Sequence, residues 1–258
     1  MGEYITICLV ALLSSGLTLY SGFGLGTILV PVFAVFFPID IAIALTAIVH
    51  FLNNIFKLVM LGKSADKNVV IKFGIPAILF AFLGAYVLVL LTGMQPLFRY
   101  SISNKVFNIT TIKLTIAVLL VFFALFDLVP RFTNLQFDKK YLSLGGVLSG
   151  FFGGLSGNQG ALRSAFLIRA GLSQKAFIAS GVVIACLVDF SRLTVYSKQI
   201  IAASDEINYA LITSATLSAF AGAYVGNRLV KKVTIKMLHY IVAAMLFAFG
   251  LLLGVGII

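Results

Sequence analysis

The residues with most chemical potential in this chain are two glycine-rich interruptions, each set inside a long apolar stretch. One runs Ser21-Gly22-Phe23-Gly24-Leu25-Gly26-Thr27, with Pro31 downstream. The other runs Gly153-Gly154-Leu155-Ser156-Gly157-Asn158-Gln159-Gly160-Ala161, with Arg163 two residues on. Glycine and proline weaken helices, so both stretches are predicted to break. A helix that restarts inside an apolar phase presents about four free N–H groups and about half a positive charge at its N-terminus. Glycines let an oxyanion come close to that backbone. The candidate anion-binding residues are therefore Gly24, Gly26 and Thr27 in the first break, and Gly157, Asn158, Gln159, Gly160 and Arg163 in the second. Asn158 and Gln159 offer amide donors, and Arg163 offers a fork of donors suited to an oxyanion. Each has a plainer alternative: close helix packing for the glycines, capping for the two amides, and snorkelling to the interface for Arg163.

A second group lies within single helical stretches. Asp189 and Arg192 are three apart and can pair on one helix face. An ionisable residue in a membrane helix is a candidate for gating or coupling, with a structural ion pair as the alternative. Asn53 and Asn54 are further candidate binding residues, and Lys57 shares a helix face with Asn53. Lys57 is read either as an interfacial anchor or as part of a gate. His50 sits near the middle of a stretch and titrates near neutral pH, which permits a coupling role or that of a hydrogen-bonded core histidine.

The elements that must position these residues follow from composition. The 258 residues are 61% hydrophobic and 10% charged, with a mean hydropathy of +1.11. A soluble domain has about 45–50% apolar residues and about 25% charge. That excludes a soluble globular enzyme, a disordered chain and a disulfide scaffold. The net charge of +11 is spread thinly along the chain, as expected of membrane loops rather than of a nucleic-acid partner. Cys8 and Cys186 lie in apolar runs, and no Cys/His cluster suggests a metal. No cofactor is implied. Eight hydrophobic segments follow one another: 4–37, 39–61, 69–91, 109–129, 141–170, 172–196, 207–230 and 235–258. The first and fifth are too long for one crossing of a hydrocarbon core about 30 Å thick, and they carry the two breaks.

The chain also repeats itself. A shift of 134 brings Gly26 onto Gly160, Ala42 onto Ala176 and Thr46 onto Ser180. A shift of 138 brings Phe82-Leu83-Gly84-Ala85-Tyr86-Val87 onto Phe220-Ala221-Gly222-Ala223-Tyr224-Val225, with five of six residues identical. This predicts a first repeat over 1–129, a connecting loop over 130–140 and a second repeat over 141–258. Charge then selects a topology. If all eight segments cross, basic residues divide evenly between the two sides. If segments one and five enter and leave on the same side, only Arg99, Lys105, Lys113, Arg192 and Lys198 fall on one side, and the other fourteen of the nineteen basic residues on the other. The second arrangement obeys the positive-inside rule. It makes the protein an all-α integral membrane protein of two inverted repeats, each with a broken, re-entrant helix and three transmembrane helices. Both termini then face outward, with Ser204 outside and Ser64 inside.

Paired glycine breaks, each leading into an Ala/Ser/Thr-rich helix, with a Gly-Ala-Tyr-Val helix in each half, resemble the TauE/SafE family of sulfite exporters over about residues 8–254. The resemblance implies a bacterial inner-membrane transporter of small sulfur-containing anions such as sulfite, sulfoacetate and related sulfonates. Asn158-Gln159 followed by Arg163 departs from the glycines the family tends to repeat there. From the residues themselves, no G-x-x-x-x-G-K-[ST] is present, so direct ATP drive has no support. H-E-x-x-H and G-x-S-x-G are absent too, so an enzyme is not expected. A secondary transporter using alternating access and coupled to protons or membrane potential is the leading expectation. An anion channel, or a membrane subunit without transport of its own, is the alternative. The expected partners are a small anion and the lipid bilayer.

Overall fold

The structure is a computed structural model. It describes residues 1–258 apart from 19–24, 104, 134, 205–206 and 230–234, and apart from the side chains of 130, 133, 229 and 235–239. The first long apolar segment is two helices, α1 (Gly2–Leu17) and α2 (Leu25–Ala34). Long helices follow, α3 (Ile39–Leu61) and α4 (Lys67–Thr92). After a β-hairpin come α5 (Thr111–Leu128) and the short α6 (Pro130–Thr133). The second long segment is again two helices, α7 (Leu142–Ser156) and α8 (Gly160–Leu167). The chain ends with α9 (Gln174–Ala202), α10 (Tyr209–Leu229) and α11 (Ile235–Gly254). Among the described residues, five helices are long and apolar enough to cross a membrane: α3, α4, α5, α9 and α10.

The helical fold expected from the sequence carries one small addition. The connector before α5 is an antiparallel hairpin of β1 (Phe98–Ile102) and β2 (Lys105–Ile109). Phe98, Tyr100, Ile102, Val106 and Phe107 are the aromatic and β-branched types that favour strands. Tyr100 pairs with Phe107 across the ladder, and their rings stack at 5.2 Å. The Tyr100 hydroxyl also donates to the Val255 carbonyl, which ties the hairpin to the end of α11.

Local chemistry sets the helix boundaries. Asp66, Thr110 and Ser173 cap α4, α5 and α9, each accepting from a backbone N–H three residues on. Pro76 lies inside α4 and cannot donate to the Lys72 carbonyl. The Ser143 hydroxyl donates to that carbonyl instead, at 3.2 Å.

Glycines decide how closely the helices pack. Along α7, Cβ atoms placed on Gly146, Gly150 and Gly154 would meet the carbonyl oxygens of Phe73, Ala77 and Ala81 at 2.2, 2.3 and 2.2 Å. The partner residue advances with the glycine, so α7 and α4 run the same way. Gly84 answers from α4, where a Cβ would stand 2.1 Å from the Phe151 carbonyl. The same device joins α1 and α10: Gly222 sits on the Leu12 carbonyl and Gly226 on that of Gly16, again in parallel. Gly84 and Gly222 are the matching glycines of the two Gly-Ala-Tyr-Val tracts. By contrast α11 runs antiparallel to α5, since Gly250 meets Ala117 and Val121 while Gly256 meets Asn108. Helix α9 runs antiparallel to α3, with Asp189 opposite His50 and Ser180 opposite Asp66 just beyond the end of α3.

Candidate functional site

The second break is built from named contacts. Gly157 ends α7 at φ +80, a left-handed conformation that glycine adopts without strain. A Cβ there would also stand 2.9 Å from Arg192 Nη1, so the missing side chain leaves room for the guanidinium. Three hydroxyls brace the turn. Tyr196 donates to the Gly154 carbonyl, an acceptor freed where the helix stops. Ser149 donates to the Gln159 carbonyl at 3.1 Å, and Ser156 accepts from the Asn158 N–H at 3.4 Å. The new helix α8 then starts at Gly160.

The two breaks meet. A Cβ on Gly26, in the first turn of α2, would lie 3.4 Å from the Gly157 carbonyl and 3.7 Å from the His50 ring. Next to this contact is a narrow gap of about 10 Å³, lined by Thr27 of α2, Phe123 and Asp127 of α5, Asn158, and Ala161 of α8. Both half-helices open onto it with their first turns. Asn158 is 3% exposed, and neither its amide oxygen nor its amide nitrogen has a hydrogen-bond partner among the described residues. A buried amide left unsatisfied is costly, and it marks a place where a polar ligand or water is accommodated. Gly24, predicted to belong here, lies outside the described residues.

Asp127 was not singled out by the sequence reading. It is 4% exposed and lies one turn after Phe123 on the same face of α5. The signal was present, since an acidic residue inside an apolar segment flagged Asp189 by the same rule. Its place two residues before the end of its segment made it look like an interfacial residue.

A buried polar network lies beside the gap. Asp189 Oδ2 is 2.7 Å from His50 Nδ1 and accepts from Asn54 Nδ2 at 3.1 Å. Asp189 Oδ1 accepts from Arg192 Nε at 3.0 Å and lies 2.8 Å from Arg192 Nη2. The predicted Asp189–Arg192 pair is therefore formed, and both side chains are 0% exposed. His50 and Asn54 join it from α3. Arg192 Nη1, with no hydrogen-bond partner among the described residues, faces Gly157.

The remaining candidates form a third group. Asn53 bonds Ser15 of α1; with its amide nitrogen turned toward the Ala219 carbonyl, its oxygen accepts from Lys57 Nζ at 3.1 Å. Lys57 is 5% exposed, which overturns the interfacial-anchor alternative: an anchor keeps its ammonium in water, and this one is inside the protein. Arg163 is 7% exposed and donates from Nη1 to Gln159 Oε1 at 3.2 Å, so it does not snorkel. Neither Gln159 nor Arg163 lines the gap; Gln159 packs against Gly153, and Arg163 faces Gly181 of α9. Gly160 is buried as the first residue of α8.

Such an arrangement can attract a small anion, which the gap must widen to admit. It offers two positive helix ends, an unsatisfied amide and a hydroxyl beside the Asp127 carboxyl, and the Arg192 guanidinium behind Gly157 is already held by Asp189. No curated protein and no solved structure matches the chain. The family model described as "Sulfite exporter TauE/SafE" matches residues 6–253, nearly the whole length. With its apolar helices and its two glycine-broken segments, this multi-pass membrane protein belongs to the TauE/SafE sulfite exporter family, whose members are membrane transporters of sulfur anions rather than enzymes.

Proposed function

We propose that the protein is a secondary transporter of small sulfur-containing anions, sulfite, sulfoacetate or a related sulfonate, working by alternating access around the gap where α2 and α8 begin. The observation that carries this reading is that both half-helix N-termini line one buried gap together with an unpartnered Asn158 amide. Thr27 and Asn158 touch the anion, and Gly26, Gly157 and Gly160 let backbone approach it. The Asp189–Arg192–His50–Asn54 network holds the second break and acts as the gate. Gln159, Arg163, Asn53 and Lys57 support the break from behind.

Helix directions support the inverted-repeat layout. Helices α3 and α4 are joined by a tight turn and run oppositely, and the short connection from α9 to α10, residues 203–208, implies the same reversal. Because α10 runs with α1, and α9 against α3, α1 and α3 run the same way. The chain must therefore turn back between them, through α2. By the same argument α7 runs with α4 and hence with α9, so α8 is the returning segment of the second half. The halves, 1–129 and 141–258 with 130–140 between them, are then oppositely oriented in an inner membrane, with both termini outward. The gap lies at their shared midplane, where such transporters place their substrate. Coupling is to protons or membrane potential.

The test is thermal stabilisation of the purified full chain by sulfite, sulfate, thiosulfate, sulfoacetate, taurine, phosphate and acetate. A ligand held only by the folded state adds about 2.7 kcal/mol of stability at a hundred times its dissociation constant. A shift confined to the sulfur oxyanions is the expected result. A flat panel, or a shift with acetate and phosphate alone, removes the substrate class.

A further inference from the structure

We propose that Asp127 is the proton-carrying residue of the anion gap, and that the gap holds its anion only while the Asp127 carboxyl is protonated. This rests on the reading of the gap as the anion site. The geometry sets a conflict: Asp127 lines the same narrow space as Thr27, Asn158 and Ala161, at 4% exposure. A carboxylate there competes with the anion for the same helix ends and the same Asn158 amide. A unit negative charge about 5 Å away, at an effective dielectric of about 20, weakens anion binding by about two orders of magnitude. Protonation removes that charge and turns the carboxyl into a hydrogen-bond donor toward the anion.

The balance is one proton taken up as one anion is held. For a monovalent anion, the empty gap with a carboxylate and the loaded gap with a carboxylic acid carry the same charge. The empty protein can then return through the same conformations without a bare site. This also explains an acidic residue in a site that must attract anions: without substrate, Asp127 is itself the anion the two helix ends hold.

Other titratable groups are separate from the gap lining. Thr27, Phe123, Asn158 and Ala161 do not titrate near neutral pH. Among the described residues, Arg192 of α9 stands behind Gly157, held by Asp189 with His50 of α3. Among the described residues, Asp127 forms no ion pair; both ion pairs belong to Asp189. Arg131, in the next helix, is exposed. Residues 235–239 of α11, the helix antiparallel to α5, include Lys236 and His239, and their side chains are outside those described.

The experiment titrates thiosulfate and sulfoacetate, whose charge stays fixed, into the purified full chain over roughly pH 5 to 9. Proton uptake is read in weak buffer with a pH dye. Wild-type affinity should fall with rising pH, by up to tenfold per unit, with proton uptake rising from near zero at the low end toward one per anion at the high end. Asp127→Asn should bind both probes across the range at the wild-type low-pH affinity, without proton uptake. Asp127→Glu should restore slope and uptake, while His239→Gln should keep them. A folded Asp127→Asn protein that keeps the wild-type slope, or binds neither probe while wild type does, overturns the proposal and leaves the anion site standing. If wild type itself binds neither probe, the site reading fails and the proposal falls with it.

Discussion

Asp189→Ala should cost about 3–5 kcal/mol of stability, the cost of leaving a buried charge without its partner. In a chain of this size that corresponds to a fall of about 10 °C or more in melting temperature. The substitution leaves Arg192 fully buried, with Nη1 already unpartnered and its other nitrogens now deprived of Asp189 Oδ1. It also strips His50 Nδ1 and Asn54 Nδ2 of their shared acceptor. The pair need not be stabilising relative to an apolar one, because removing both charges removes both desolvation costs. Asp189→Leu with Arg192→Met should therefore recover most of the loss while abolishing transport, since the guanidinium behind Gly157 is gone. Melting of the two variants separates the cases. Equal falls would show that the network does not act as a charge-balanced unit.

Gly150→Ala should be nearly as damaging, and the sign of the effect is informative. In a helix interior, alanine is favoured over glycine by about 1 kcal/mol. At Gly150, however, the new Cβ would stand 2.3 Å from the Ala77 carbonyl oxygen and 2.6 Å from its Cα. Those are backbone atoms, so α4 and α7 must separate along a seam where Gly146, Gly154 and Gly84 make equally close approaches. Overpacking of this kind costs about 1–3 kcal/mol at one site, and more when a whole interface shifts. Gly74→Ala on α4 is the control. Its Cβ would meet the Leu187 Cδ1 methyl at 3.2 Å, the movable end of a side chain. Gly74→Ala should thus be neutral or stabilising, and Gly150→Ala strongly destabilising, in melts of the purified protein. Equal effects would show that the seam is looser than these distances.

Much of the site was legible because glycine and proline punctuate an apolar chain so sharply. Gly157-Asn158-Gln159-Gly160 falls where α7 stops and α8 starts, since no apolar periodicity can hide such a break. The Asp189–Arg192 pair was legible from its i,i+3 spacing on one helix. The His50–Asp189 contact was not, because it joins residues 139 apart in sequence through antiparallel packing of α3 on α9. Lys57 looked like an anchor near the end of its helix. Its burial depends on Asn53, on Ser15 of α1 and on α10, which a single-helix reading cannot see. The hairpin at 98–109 lay inside what read as a polar connector. Its alternating aromatic and β-branched residues were a strand signal, masked by the surrounding helices. Asp127 was the most consequential omission: only the fold shows that the end of α5 reaches the two half-helix starts.

The central claim is that one anion is held by both half-helices at once. A double-mutant cycle across Thr27 and Asn158 tests it most directly, with thiosulfate and sulfoacetate titrated into wild type, Thr27→Val, Asn158→Leu and the double variant. A hydrogen bond to a charged group contributes about 1.5–3 kcal/mol, so each single variant should weaken binding by about tenfold or more. The double variant should lose less than the product, with a coupling of about 0.5–3 kcal/mol, because both groups act on one ligand. Binding unchanged in either single variant, or losses that multiply independently, would contradict a shared site at the meeting of α2 and α8.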